Sequence, residues 1–327
     1  MAGQETFLVN AWYRGARWLW ILRPLELVYR GLTALRHSFY RTGIFSSYRA
    51  AKPVVIVGNI TVGGTGKTPV VIALVEALEA QGIRAGVVSR GYGGSAESYP
   101  HIVASDSQAS QCGDEPLLIH KRTNAPCVVD PRRSRAVKTL IERFDPDLVL
   151  CDDGLQHYAL QRDMEIALLD AQRGIGNGFC LPAGPLREPQ SRLERVEWVL
   201  HRGGDNPGSS VCYDTAGLVN LASGEQLPLQ PLALKADKIH ALAGIGQPQQ
   251  FFNTLAKAGF EAEMHIFADH HEYTESDLSC LNDKPILMTE KDAVKCTGIA
   301  GDNAWYLKLN ARLPDAVIDA VAALAKP

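Results

Sequence analysis

The stretch Val54–Thr68, VVIVGNITVGGTGKT, decides the fold. Its apolar run Val54–Val57 predicts a buried strand, the glycine-rich turn ends in the tripeptide Gly-Lys-Thr, and a helical pattern begins at Pro69. Small residues let successive backbone N–H groups point into one concavity, and the positive end of the following helix faces the same point. This order of strand, turn and helix predicts a phosphate loop.

Each part of this loop has a predicted role. Lys67 can reach the β and γ phosphates of a nucleotide, and the Thr68 hydroxyl can bind Mg²⁺. The usual spacing places a glycine five residues before Gly66, where this chain has Thr61, so an ordinary glycine turn is the alternative. The residues predicted to contact the nucleotide are Thr61, Val62, Gly63, Gly64, Thr65, Gly66, Lys67 and Thr68.

A second apolar run ends in two acids at Leu148–Asp153, LVLCDD. A buried strand that ends in a carboxylate, downstream of a phosphate loop, is the Walker B arrangement that holds Mg²⁺ directly or through water. We predict Asp152 and Asp153 as the metal acids, without deciding which one contacts the ion. Gln156 and His157 follow within one short turn and are candidate substrate contacts.

Further polar residues follow other predicted strand ends. Arg90 and Tyr92 lie among glycines directly after the strand-like run Ile83–Ser89, at the edge of a parallel sheet where ligands bind. They could hold an anionic or sugar-like group, although a flexible loop is the alternative. Arg187 lies between two prolines, and this stiff backbone could present it to a phosphate in a fixed geometry.

Asp114 and His270 are candidates for proton transfer. Asp114 begins a helical stretch, where an acid can be a simple cap, and it becomes interesting only if the phosphate loop lies nearby. His270 lies in a loop after a predicted strand, which suits a catalytic or proton-shuttling role. The charged turn Thr289–Asp292 is interpreted as a structural ion-pair hinge.

Composition narrows the class of protein. The 327 residues carry a net charge of −3 and 46% apolar residues, which fits a soluble globular protein and argues against a general nucleic-acid binder. Seven scattered cysteines without a C-x-x-C pair predict reduced thiols in a cytosolic setting. The N-terminus lacks the pattern of a signal peptide.

Residues 1–52 form a distinct arm rich in tryptophan and arginine. The longest apolar run, Trp18–Leu22, is far too short to span a bilayer. The arm is either a pair of helices in a membrane interface or an amphipathic segment packed on the protein's own core, and the tryptophans favour the membrane surface slightly. Pro24 should divide the arm into two helices.

The predicted architecture is α/β. It comprises the helical arm 1–52, a P-loop NTPase-like parallel sheet over 53–234, and a second, smaller α/β domain over 235–327.

Taken together, the motifs resemble one family, the tetraacyldisaccharide 4′-kinases (lipid A 4′-kinases) of Gram-negative bacteria. The resemblance covers almost the whole chain and rests on segments that occur in the family's order. These are TVGGTGKTP (61–69), SRGYGG (89–94), GDEP (113–116), DDGLQH (152–157), LPAGPLREP (181–189), AGIGQPQQFF (243–252), FADHH (267–271) and MTEKDAVK (288–295).

The resemblance implies a lipid kinase that uses ATP and Mg²⁺. It implies transfer of the γ-phosphate to the 4′-hydroxyl of a tetraacylated glucosamine disaccharide 1-phosphate, which gives lipid IVA. It further implies a peripheral enzyme at the cytoplasmic face of the inner membrane that binds no nucleic acid. Asp114 would accept the hydroxyl proton, His270 would orient or assist it, and Arg187 would lie near the phosphates or the lipid headgroup.

An ATP- or GTP-driven switch or partitioning protein is the competing interpretation. Val62 stands where partitioning ATPases have a second lysine, which argues against a partitioning protein. The sequence has no guanine-reading N-K-x-D motif, which argues against a GTPase. The fate of a labelled γ-phosphate would decide between transfer and simple hydrolysis.

Overall fold

The structure is a computed structural model that describes the backbone of residues 2–326 and the side chains from Phe7 onward. Met1 and Pro327, the outer ends of the predicted arm and of the predicted smaller domain, lie outside the described residues.

Within the described residues, thirteen strands form one sheet, with the order β11-β10-β12-β13-β8-β7-β6-β1-β5-β2-β4-β3 and with β9 beside β8. The strands are β1 (Val54–Gly58), β2 (Ala85–Ser89), β3 (His101–Val103), β4 (Cys127–Val129), β5 (Leu148–Asp152), β6 (Met164–Asp170), β7 (Trp198–Arg202), β8 (Ser210–Asn220), β9 (Gln226–Leu227), β10 (Lys238–Ala243), β11 (Glu261–Ile266), β12 (Ile286–Thr289) and β13 (Ala304–Arg312).

Helices lie between most of these strands. They are α1 (Ala2–Arg14), α2 (Arg23–Arg41), α3 (Lys67–Ala80), α4 (Ala109–Cys112), α5 (Asp114–Thr123), α6 (Arg133–Phe144), α7 (Pro231–Leu234), α8 (Pro248–Lys257), α9 (Glu275–Ser279), α10 (Glu290–Cys296) and α11 (Asp315–Ala325), with 3₁₀ turns at Arg17–Leu22 and Gln190–Arg195.

The predicted phosphate-loop strand lies at the centre of the first half of the sheet. β1 runs parallel to β5 on one side and to β6 on the other. All five of its residues are buried, which explains the uninterrupted apolar run in the sequence. The carboxyl ends of β1 and β5 therefore lie side by side, and they carry the phosphate loop and the acid pair to the same edge.

The second half of the sheet is α/β as well, and the chain crosses between the halves through β8. β10, β11 and β12 are parallel, whereas β13 runs antiparallel to β8. The predicted division into 53–234 and 235–327 stays a prediction. Helix α11 differs from its expected place in the smaller unit, because Val317 and Val321 pack in the apolar cluster that surrounds α3.

The N-terminal arm uses both of its faces. Trp12 and Leu19 are buried, and the Trp12 Nε1–H donates to the carbonyl of Pro182 at 3.0 Å. The break between the helices falls at Gly15, while Pro24 lies in the first turn of α2, where its missing N–H has no cost. No helix among the described residues is long and apolar enough to cross a membrane.

The other face of the arm exposes an apolar stripe. The stripe consists of residues at helical spacing that each have 58% to 79% of their surface exposed: Ile21, Leu25, Val28 and Leu32. Trp20 is also 64% exposed. Soluble monomers rarely leave such a continuous stripe in water.

Candidate active site

The phosphate loop is built as the sequence predicts. Gly66 precedes α3 in the left-handed region at φ 85°, and a Cβ there would lie 2.8 Å from the Tyr213 hydroxyl oxygen, so the position requires glycine. Among the described residues, the amides of Gly63, Gly64 and Thr65 donate no hydrogen bond. A ring of free N–H groups at a helix N-terminus is a ready cradle for phosphate.

Val62 differs from the glycines that follow it, because its backbone N–H already has a hydrogen-bond partner. Its N–H donates to the carbonyl of Pro185 at 2.8 Å, and its side chain packs with Trp12, Leu19 and Leu181. The amide is thus already used, which speaks against the predicted contact between Val62 and the nucleotide. Thr61 forms a bridge with Leu186, so this segment anchors the loop, and the contact of Thr61 with the nucleotide stays a prediction.

Lys67 lies at the centre of a group that we call the phosphate cluster, formed by Asn59, Lys67, Asp153 and Arg187. Lys67 Nζ lies 3.4 Å from Asn59 Oδ1 and 3.4 Å from Asp153 Oδ1. Arg187 Nη1 donates to Asp153 at 3.0 Å, and its backbone N–H donates to the carbonyl of Ile60. Two cations therefore face the phosphate loop around one carboxylate.

The two acids of the Walker B segment differ sharply. Burial acts to raise the pKa of Asp153, but Lys67 and Arg187 outweigh it and lower this pKa to about 2. Asp152 is fully buried, and among the described residues neither of its carboxylate oxygens has a hydrogen-bond partner. Burial, together with the charge of Glu115, raises the pKa of Asp152 to about 7.

The donor set fits a bound Mg²⁺. An orphaned buried carboxylate is costly unless something pairs with it, and hard oxygen ligands are what Mg²⁺ takes. Asp152 supplies such oxygens beside the first turn of α3, where the hydroxyl of Thr68 lies. Asp152 and Thr68 are the residues that would hold the ion, while Asp153 is already paired with Lys67 and Arg187.

A second group, which we call the acceptor cluster, consists of Asp114, Glu115, His270 and Lys291. His270 Nδ1 donates to the Asp114 carboxylate at 3.0 Å and 3.1 Å. Burial would raise the pKa of Asp114, yet the hydrogen bond from His270 and the charge of Lys291 lower it. Burial would lower the pKa of His270, but the bond to Asp114 raises it. These opposite shifts place the proton on His270 and keep Asp114 ionised.

Sequence reasoning missed the role of Lys291. Its Nζ lies 3.2 Å from Glu115, 3.5 Å from Asp269 and 3.7 Å from Asp114, so one cation holds three carboxylates. The Thr289–Asp292 turn does contain an ion-pair junction, since neighbouring Glu290 also pairs with Arg122 of α5 at 2.8 Å. Nothing in the sequence places this turn beside α5, because 176 residues separate Lys291 from Glu115.

A cleft of 490 Å³ opens in front of the acceptor cluster. Asp114, His270 and Tyr92 line it together with Lys121 and Lys295. The Tyr92 ring lies 4.9 Å from the His270 ring, and its contact with a substrate stays a prediction.

Three other predicted substrate contacts lie in different surroundings. Arg90 is exposed at the end of β2. Gln156 donates to Glu188 at 2.8 Å and lies beside Arg187 of the phosphate cluster. Burial and the nearby charges of Arg133 and Arg162 lower the pKa of His157 to about 4, so this side chain is neutral at pH 7 and offers no charge to an anion.

Arg133, the first residue of α6, supports the acid pair. It is 4% exposed, and its Nη2 donates to the carbonyls of Asp152 and Asp153. It therefore fixes the backbone of the acid pair, which turns through a positive φ of 49° at Asp153.

The second half of the sheet covers the phosphate loop. Gln247 Nε2 donates to the carbonyl of Gly64 at 2.9 Å. A Cβ on Gly246 would lie 3.3 Å from Asp269 and 3.6 Å from the Gly64 amide, so the loop after β10 passes directly over the phosphate concavity. The phosphate cluster and the acceptor cluster adjoin across this junction, with Glu115 between Lys291 and Asp152.

The site combines a P-loop with two cations that share one carboxylate, and it adds a buried acid and an Asp–His pair beside a cleft. This combination is typical of phosphotransferases that are built on a P-loop. The particular family follows from the comparison with known proteins. The family model for tetraacyldisaccharide-1-P 4′-kinase matches residues 18–326, and the chain belongs to this family.

Relatives of known name agree over almost the full length. The chain is 50% identical over 315 residues to a tetraacyldisaccharide 4′-kinase of Ectopseudomonas mendocina, which covers 95% of this chain and 94% of the relative. It is 48% identical over 307 residues to the protein of that name from Pseudomonas aeruginosa PAO1, covering 93% and 92%.

A solved structure has the same fold. LpxK from Aquifex aeolicus, described as an "apo" form in complex with ATP, superposes with a TM-score of 0.79 at 26% identity. The match covers 94% of this chain and 99% of that one.

Proposed function

We propose that this protein transfers the γ-phosphate of ATP to the 4′-hydroxyl of a tetraacyldisaccharide 1-phosphate, the step that forms lipid IVA. The observation that carries the proposal is the adjacency of two different clusters. The phosphate cluster is linked to the Asp–His pair through Glu115, which pairs with Lys291 at 3.2 Å and whose charge acts on Asp152, and a cleft opens in front of the Asp–His pair. A simple switch would need the first cluster but not the second.

The phosphate cluster would bind the triphosphate and stabilise the transferring group. Phosphoryl transfer involves little covalent chemistry by the protein, so positioned cations and donors supply most of the rate enhancement. Lys67 would contact the β and γ phosphates, and Arg187 would neutralise the charge that spreads over the γ-phosphoryl oxygens. Both are held in advance by Asp153, at 3.4 Å and 3.0 Å.

A bound Mg²⁺ would supply positive charge that offsets the negative charge of the phosphates. Asp152 and Thr68 are the residues proposed to hold it. Since the raised pKa of Asp152 leaves this acid partly protonated near pH 7, ion binding would release a proton from its carboxyl group.

The acceptor cluster would prepare the hydroxyl. Asp114 is proposed as the base, and His270 as the partner that orients the carboxylate and assists the proton transfer. Lys291 would keep Asp114 ionised by compensating its charge at 3.7 Å. Since Asp114 lies on α5 whereas His270 follows β11, the base would be complete only while the two halves of the sheet are together.

The lipid acceptor would arrive from a membrane surface that the arm contacts, at the cytoplasmic face of the inner membrane. The exposed stripe Ile21, Leu25, Val28 and Leu32 would enter the interface, with arginines at the headgroups. The buried side of the same arm packs against Val62 of the phosphate loop, so the membrane contact and the ATP site share one support.

Labelled γ-phosphate tests the transfer. The protein is incubated with labelled ATP, Mg²⁺ and the acylated disaccharide 1-phosphate in mixed micelles, and label is expected in the lipid fraction. An acceptor already phosphorylated at the 4′ position is the control and should stay unlabelled. Release of the label only as free phosphate would reject the kinase and favour the switch.

Vesicle co-sedimentation tests the membrane contact. Deleting the arm would expose buried Trp12 and Leu19, so a surface variant, Ile21→Ser with Leu25→Ser and Val28→Ser, is the sharper choice. It should lose binding to anionic vesicles, whereas Leu232→Ser, at a position 86% exposed elsewhere, should bind like the parent. Equal binding of all three proteins would contradict a membrane role for the stripe.

A further inference from the structure

A cluster of histidine and carboxylate side chains lies on the outer part of the second half of the sheet, away from both clusters of the active site. His240 on β10 is directly opposite Glu263 on β11, and His265 follows Glu263 by two residues. Residues two apart on a strand project from the same face, so all three side chains meet. One ligand atom from each lies within 4.8 Å of the others.

The geometry points to a binding site for a borderline divalent transition ion, of which Zn²⁺ is the probe we choose, held by His240 Nδ1, His265 Nε2 and Glu263 Oε2. The two ring nitrogens are 3.0 Å apart, and His240 Nδ1 is 3.5 Å from Glu263 Oε2. Zinc bonds of about 2.0–2.2 Å in a tetrahedral site put ligand atoms roughly 3.3 Å apart, so little movement is needed.

A fourth side chain orients the buried ligand. His240 Nε2–H donates to Asp283 Oδ1 at 2.7 Å, which leaves the lone pair of Nδ1 directed toward the other two ligands. A metal-bound histidine usually donates its second N–H to a carboxylate in this way. The His240 side chain is only 4% exposed, so its orientation is fixed by the surrounding protein.

The remaining ligands suit an ion that enters from solvent. Glu263 is 59% exposed, so the fourth coordination position faces water. Two imidazoles and one carboxylate match Zn²⁺ and its neighbours better than Mg²⁺, which prefers oxygen ligands only.

Lys284 provides the competing charge. Its Nζ lies 3.1 Å from Glu263 Oε2 and 3.2 Å from Asp283 Oδ2, so the ammonium neutralises these acids when no ion is bound. Its side chain is 30% exposed and flexible enough to move away. Metal binding must displace it from Glu263, and removing the ammonium should therefore strengthen the site.

A bound ion would join the edge strand β11 to its neighbour β10. β11 leads within four residues of His265 to Asp269, and then to His270 of the acceptor cluster, while β10 leads to the loop that covers Gly64. The ion would thus stabilise the frame of both loops without touching the reacting groups.

Zinc binding to the full chain tests the proposal. The protein carries no histidine tag, and its two exposed thiols are removed by Cys212→Ser and Cys280→Ser so that they do not bind zinc. Zn²⁺ is titrated against a chromophoric chelator in saturating Mg²⁺, which occupies the acids of the nucleotide site. We expect one Zn²⁺ per chain, and Zn²⁺ should raise the melting temperature of this parent.

Variants then locate the ion. His265→Gln should weaken zinc binding at least tenfold, and Asp283→Asn about tenfold to a hundredfold. Lys284→Met should bind severalfold more tightly. His101→Gln, on the strand at the opposite edge of the sheet, is the matched control and should bind like the parent.

The proposal is overturned if the parent binds no Zn²⁺, if His265→Gln binds as well as the parent, or if Lys284→Met does not gain affinity. The His265→Gln variant can fail to fold because residue 265 lies in an edge strand. Asp283 and Lys284 lie outside the strands, so their variants test the proposal in that case as well. Co²⁺ offers an independent reading, since its visible absorption should indicate nitrogen and oxygen ligands in the parent and vanish in His265→Gln.

Discussion

The phosphate cluster and the acceptor cluster differ in how the chain builds them. Asn59, Lys67, Asp153 and Arg187 all come from the first half of the sheet, and three of them follow the ends of β1 and β5. The acceptor cluster takes Asp114 and Glu115 from α5 but His270 and Lys291 from beyond β11 and β12. One cluster is local to a single sheet edge, whereas the other exists only where two halves meet.

This difference separates two tasks. Binding of a triphosphate needs a rigid concavity, and adjacent parallel strands provide one without any other part of the chain. A base that is assembled only when the two halves come together reduces hydrolysis of ATP, because a complete site without an acceptor would favour attack by water. Substitutions in the phosphate cluster should therefore affect every use of ATP, and those in the acceptor cluster only transfer to the lipid.

The largest effect among the phosphate-cluster residues is expected for Lys67→Met. It removes the cation closest to the phosphates and leaves Asp153 with Arg187 alone, so transfer should fall about a hundredfold to a thousandfold. Labelled ATP with the lipid acceptor measures this rate. Lys52→Met, which removes a lysine paired with Asp145 on the surface, is the control and should stay near the parent rate.

Asp152→Asn should change stability in a pH-dependent way. The pKa of Asp152 is raised to about 7 in the folded state from an ordinary 3.8, so the folded protein holds a proton that the unfolded chain releases. Stability is therefore lost as pH rises from about 4 through about 7, by a few kcal/mol at most. Asparagine does not ionise, so the Asp152→Asn variant keeps its stability over this pH range.

Melting in the absence of divalent ions measures the effect. The advantage of Asp152→Asn over the parent should be small near pH 4, grow as pH rises and level off above pH 7. Mg²⁺ should then stabilise the parent more than the variant. A constant difference across this range would show that Asp152 is not held protonated.

Lys291→Met should shift the pH profile of transfer. Lys291 lowers the pKa of both Asp114 and His270, so its removal should raise both pKa values. The acid limb of kcat/KM for the lipid acceptor should move to higher pH, while the KM for ATP changes little. Lys257→Met, an exposed lysine at the end of α8, is the control, and an unmoved limb would exclude the proposed coupling.

The smallest effect is expected at the junction between the clusters. Gln247→Ala removes the hydrogen bond to the Gly64 carbonyl, worth about 1 kcal/mol or roughly a fivefold change in the KM for ATP. Gln249→Ala is the matched control, because the Gln249 side chain bonds to Asn253 on its own helix. An equal response of both variants would mean that the junction does not support the phosphate loop.

The sequence predicted the local cluster well and the divided one only in part. Lys67 and the acid pair are recognisable because strand, loop and acid are contiguous in sequence and each has a fixed geometry. Lys291 could not be assigned, since its partners lie far away in sequence and a charged turn is usually a solvated one. For the same reason the sequence did not predict that Arg133, at the start of α6, supports the acid pair, or that α11 returns to the core around α3.

The arm shows a different limit of sequence reasoning. Its pattern left packing on the protein and contact with a membrane almost equally favoured, and the structure gives the arm one buried face and one exposed apolar face. Periodicity identifies an amphipathic helix but not which surface each side meets. Val62 illustrates the consequence, because its side chain packs on the arm while its amide, which the loop motif assigned to the nucleotide, donates to the carbonyl of Pro185.

The central claim is that Asp114 and His270, from different halves, act as one unit on the acceptor. A double-mutant cycle tests it most directly, with kcat/KM for the lipid measured at saturating ATP for Asp114→Asn, His270→Gln and the double variant. Each single change should cost about a hundredfold to ten-thousandfold, the double should be no worse than the poorer single, and ATP should bind normally throughout. Losses that multiply, or single variants that turn over the lipid at near the parent rate, would contradict it.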